Sequence, residues 1–137
     1  MPRMRQRGAM MEYKKMEYSP EPTEILLAAD EYRNHNFVIK NLGWHPTAYV
    51  LIPKKPINIS DIRCHCGVTY SGNHLEVDGA YVKGFWIGWD YGHACDYNGI
   101  CMRPGMEALS KYGKKWTTEE IVAECKNVID QLIEMGF

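Results

Sequence analysis

The chain has 137 residues, 45% hydrophobic and 24% charged, with sixteen basic against seventeen acidic side chains and a formal charge of -1. That length makes one domain, able to bury an ordinary core without disulfide staples. The charge balance argues against a protein built to hold nucleic acid, which needs a concentrated basic surface.

No stretch approaches the roughly 18 to 20 apolar residues of a membrane-spanning helix, so no membrane partner is expected and a cytoplasmic location is. Arg3, Arg5 and Arg7 make the start basic without an apolar run. Residues 1–11 therefore read as a disordered basic arm or an expression remnant rather than a signal peptide, and 12–137 as a single domain. Five cysteines stand at 64, 66, 95, 101 and 125. With no export signal, reduced thiols are expected.

In chain order, "SPEPTEILLAADEYRNH" (19–35) reads as a short N-terminal helix with Ile25, Leu26, Ala28 and Ala29 as its inward stripe. β-rich segments follow at 36–42, 47–53, 62–70 and 80–91. "GWHP", "KKPINISD" and "SGNHLEVDG" separate them with turn residues. Gaps this short favour antiparallel neighbours. The C-terminal segment predicts a helix, with Thr117 as N-cap, Glu120 completing a capping box and Trp116 stapling to Ile121. Ile121, Cys125, Val128, Leu132 and Met135 form its apolar stripe. Gly136 suits the stop. The expected fold is α+β: a meander-like antiparallel sheet of four to five strands, with the C-terminal helix on one face. About 25 residues between the last strand and that helix read as a lid or binding loop holding one or two helical turns.

Polar residues concentrate in "IRCHCGVTYS" and "FWIGWDYGHACDY". Strand alternation over the first places Cys64, Cys66 and Tyr70 on the core face and His65 and Thr69 on the other. Trp86 and Asp90 of the last strand then share the side of His65. A histidine oriented by a carboxylate makes a general base near neutral pH, so His65, Asp90, His93 and Asp96 form the strongest set. Two histidines and two aspartates can also hold a divalent cation. Cys64 and Cys66, with one residue between them, are too widely set on an extended strand for a zinc pair. The thiols therefore read as small core residues. No Ser-His-Asp elbow, phosphate loop or dinucleotide fingerprint is present.

"IKNLGWHPTAYVLIP", "CHCGVTYSG", "WIGWDYGHACDY" and "KKWTTEEI" resemble a group of small uncharacterised proteins from phages and prophages of Gram-positive bacteria. The group's pattern runs G-x-H-P-T-A-Y-V, then H-G-G-[LV]-T-Y, then W-x-G-[FW]-D-x-A-H-A-G-D-Y. The resemblance spans most of 36–131 and marks His45, Pro46, Thr47, His65, Gly67, Thr69, Tyr70, Asp90, His93, Asp96 and Tyr97. Cys66 and Cys95 stand where the pattern has glycine, and Gly92 where it has alanine, which weighs against zinc. The resemblance implies no known activity; by analogy with small phage accessory proteins, an anti-defence role in the host cytoplasm is expected. Such a protein captures a small nucleotide-like ligand or blocks a host protein.

His65, Thr69, Tyr70, Trp86, Asp90, His93, Asp96 and Tyr97 are the expected ligand-binding residues. No cofactor is required, although a divalent metal at His65, His93, Asp90 and Asp96 would make a hydrolase instead. A purely structural interaction module is the third reading. An oligomer is compatible with all three.

Overall fold

The computed structural model describes residues 13–53, 58–109 and 111–137. The expected arm at 1–11 lies outside them. Five strands form one sheet: β1 (Ile25–Tyr32), β2 (His35–Asn41), β3 (Pro46–Ile52), β4 (Tyr70–Val77) and β5 (Ala80–Asp90). Their order is β1-β2-β3-β5-β4 and every neighbouring pair is antiparallel. One helix, α1 (Thr118–Glu134), lies on the sheet. The fold is therefore α+β as expected. The chain does not meander throughout, because β4 takes the edge outside β5.

The stretch expected to be an N-terminal helix is β1. Arg33 and Asn34 both adopt positive φ, 48° and 66°, and join Tyr32 to His35 as a two-residue hairpin turn. Pairing with β2 gives β1 backbone partners that a short isolated helix could not match. A register shift between Leu26 and Ala28 interrupts the pleat. Leu27 and Ala28 thus both join the helix-side core, while Ala29 faces the other side.

A second correction concerns 62–70, expected to be one strand. The chain turns at His65–Cys66 instead, with Cys66 at φ 56° and Gly67 at φ 83°, and Gly67 N–H donates to the Cys64 carbonyl at 3.0 Å. β4 then occupies most of "SGNHLEVDG", which reads as a turn. Its Asp78-Gly79 pair, at φ 54° and 84°, closes the β4–β5 hairpin.

The sheet has a core on each face. Phe37, Ile39, Val50, Ile87 and Trp89 pack with α1 residues Ile121, Cys125, Val128, Ile129 and Leu132. Each fully buried aliphatic side chain contributes about 1.5–3 kcal/mol. Thr117 caps α1 and Glu120 completes the capping box, as expected. On the opposite face, Leu75, Val77, Val82 and Trp86 of the β4–β5 hairpin gather over Ala29 and Val38. The hairpin's register shifts between Gly72 and His74, where a bulge bends and twists a strand. Among the described residues, no helix is long and apolar enough to cross a membrane.

Candidate functional site

The site forms where the end of β5, the 62–69 segment and the start of α1 meet. Two clamps fix the 62–69 segment to the helix. Gln131 accepts from Arg63 N–H at 2.8 Å and donates to the Arg63 carbonyl at 2.7 Å. Glu124 accepts from His65 N–H at 2.9 Å. The tight turn at Cys66 and Gly67 then lets the His65 ring lie inward while the Cys66 thiol stays exposed.

His65 sits between aromatics. Tyr91 stacks on it at 4.7 Å with the planes 8° apart, and Trp116 meets it at 5.0 Å with the planes at 64°. Its Nε2 lies 2.9 Å from Oδ2 of Asp96, whose side chain is fully buried. Asp96 also accepts from His93 N–H at 3.0 Å, from Trp116 Nε1 at 2.8 Å and from the Cys95 thiol at 3.7 Å. Burial pushes the Asp96 carboxyl up, but the His65, His93 and Trp116 donors outweigh it and hold its pKa below the usual value.

The loop after β5 braces the site through its own backbone. Lys114 N–H donates to the Cys95 carbonyl and Tyr97 N–H to the Lys114 carbonyl, at 3.0 and 2.8 Å. Gly113 allows that approach, since a Cβ there would collide with the Asp96 backbone. Among the described residues, the loop's only helical element is a short 3-10 turn at Gly99–Met102.

His93 forms the second histidine–carboxylate pair. Its Nδ1 lies 3.2 Å from Asp90 Oδ1 and 3.6 Å from Asp96 Oδ2. Neither contact is directed as a hydrogen bond, so His93 Nδ1 and Asp90 Oδ1 are buried polar atoms without a hydrogen-bond partner among the described residues. The two histidine rings are 5.9 Å apart.

Among the described residues, two sets of side chains are grouped closely enough to be candidate metal ligands. His65, Cys66 and Cys95 each place one ligand atom within 4.8 Å of the others, and so do His65, His93 and Asp96. Cys66 and Cys95 are exposed free thiols, not core residues as expected; Cys101 and Cys125 are buried. Desolvation, then the charges of Cys95, Asp96 and Asp90, push the Cys66 thiol above its usual pKa.

Of the expected residues, His65, Asp90, His93 and Asp96 come together. Trp86 does not join them: it is fully buried in the opposite core and donates to the Val82 carbonyl at 3.0 Å. Tyr70 packs on that side too, edge-on to Tyr49 at 5.5 Å. Thr69 is exposed next to it. Tyr97 lies behind the site against Tyr18, their ring centroids 4.8 Å apart. Trp116 and Glu124 were not legible as site residues, because the helix pattern accounts for them as staple and solvent face.

No family model, curated protein or solved structure matches the chain.

Proposed function

We propose that the protein holds one soft divalent metal ion, of the zinc type, at His65, Cys66 and Cys95 and uses it for hydrolysis. The observation that carries this reading is the approach of one ligand atom each from His65, Cys66 and Cys95 to within 4.8 Å of one another. Asp96 holds His65 Nε2, so the ion would take Nδ1, and the Cys66 and Cys95 thiols lie within 4.8 Å of a ring nitrogen. Ligand atoms on one tetrahedral ion stand about 3.5–4 Å apart, so a small side-chain adjustment closes the set. A histidine ligand backed by a buried carboxylate is the usual outer-shell arrangement at zinc. Three protein ligands leave a fourth position open, as in catalytic rather than structural sites.

When bound, the ion supplies Lewis acidity and a water acidic enough to ionise near neutral pH. The remaining chemistry falls to the chain. Asp90 lies beside His93 Nδ1 at 3.2 Å. His93 takes a proton from the attacking water and returns it to the leaving group. Asp90, Asp96 and Glu124 surround these rings and make the site attractive to a cation.

The test compares zinc-loaded protein with metal-stripped protein on 4-nitrophenyl acetate and bis(4-nitrophenyl) phosphate. Zinc-dependent turnover of one substrate, lowered about 10²- to 10⁴-fold by His93→Ala, is expected. Equal rates with and without zinc on both substrates would remove the hydrolase reading.

The second reading places a harder ion at His65, His93 and Asp96. The unpartnered His93 Nδ1 and Asp90 Oδ1 favour it. Under that reading, Cys66→Ser with Cys95→Ser leaves metal binding intact.

A further inference from the structure

A concavity lies at the other end of the sheet, independent of the metal reading. The β3–β5 register sets Asp90 opposite Thr47 at one end and Phe85 opposite Ile52 at the other. Five residues along β5 separate them, or about 17 Å. Leu51, Ile52, Pro53, Tyr81, Phe85 and Phe137 line a groove of about 980 Å³ there, at the upper end of the size of small-ligand sites. Gly84 leaves its own stretch of wall bare, and a Cβ there would run into Leu51. Lys83 is the one charged side chain among the described lining residues, and it is exposed.

His35 also lines this groove and is only 7% exposed. Its Nδ1 lies 3.0 Å from the Arg33 carbonyl. The carbonyl only accepts, so that nitrogen carries a proton, and with one ring proton Nε2 is left as an acceptor. Nε2 is buried and has no hydrogen-bond partner among the described residues. Buried polar atoms are nearly always satisfied, and an exception calls for a missing partner.

We propose that the groove binds a planar ring, aromatic or heteroaromatic, whose N–H or O–H donates to His35 Nε2. Tyr81, Phe85 and Phe137 supply the ring contacts. The ring seats by parting the atoms that now cover Nε2. The base of a nucleotide-like ligand belongs to this chemical class, as does an indole or a phenol.

The experiment titrates the wild-type protein with indole and with 1-methylindole, which has the same ring system without the N–H donor, and follows backbone amides by NMR. Indole is expected to shift Lys83, Gly84 and Phe85, to leave His93 and Asp96 unmoved, and to bind about tenfold more tightly than 1-methylindole. His35→Phe erases that difference. Tyr81→Ala, at a residue 66% exposed and so tolerated by the fold, weakens both probes. Equal affinity of the two probes for wild-type protein, or no shift at the groove amides, overturns the proposal.

Discussion

Asp96 fixes His65 through Oδ2, 2.9 Å from Nε2, while its Oδ1 accepts from Trp116 Nε1 at 2.8 Å. One buried carboxylate thus links the 62–69 segment, the loop after β5 and the entry to α1. Asp96→Asn keeps the shape and loses the charge. The expected result is zinc affinity weakened about 10- to 100-fold and stability lowered by about 1–3 kcal/mol. Competition with a zinc chelator and urea melts measure the two effects separately.

The exposed thiols separate function from fold. Cys95→Ser should change stability by less than about 0.5 kcal/mol, as surface substitutions do, and yet abolish stoichiometric zinc. Cys66 sits at φ 56°, where a side chain costs about 1–2 kcal/mol. Cys66→Gly should therefore raise the unfolding free energy by about 1 kcal/mol while also losing the metal. A stable Cys66→Gly protein that keeps zinc would remove Cys66 from the ligand set.

Tyr18 predicts an alkaline limit. Burial first, and then the charges of Asp96 and Glu120, raise its pKa from 10.0 to about 12. The unfolded chain ionises this group at lower pH than the folded one, so its contribution to stability is full below pH 10. It is lost as the pH rises through about 12. Tyr18→Phe should make the fall in urea midpoint between pH 9.5 and 11.5 shallower than in wild type. An unchanged slope would place the alkaline transition at other groups.

Trp86 tests the division into two cores. It is fully buried among Val38, Leu75 and Val82, on the face away from His65. Trp86→Ala should cost about 3–5 kcal/mol, and the protein that remains folded should bind one zinc as wild type does. Loss of zinc from folded Trp86→Ala protein would contradict the two-sided arrangement.

What the sequence discloses follows from the range of the forces involved. The capping box and apolar stripe of α1 are local, and Thr117, Glu120 and Ile121 take the expected places. The β1 strand was hidden because "ILLAADEY" carries helix-forming residues, and its partner lies beyond a turn without the usual Asn-Gly or Asp-Gly signal. The segment around His65 misled more consequentially. Alternation over 62–70 assumes an extended chain, but the positive φ of Cys66 and Gly67 reverses it. The assumption placed Trp86 in the site and the Cys66 thiol in the core. The convergence of His65, Asp90, His93 and Asp96 was legible because three of them lie within seven residues. The contribution of Trp116 depends on a contact twenty positions away, and no local pattern encodes it.

The central claim is sulfur ligation of a metal by Cys66 and Cys95, and zinc-edge X-ray absorption on protein loaded with one equivalent of zinc and desalted tests it most directly. The account predicts two sulfur scatterers at about 2.3 Å and one or two nitrogen or oxygen scatterers at about 2.0 Å. A shell of nitrogen and oxygen alone, or protein that retains no zinc, would contradict it.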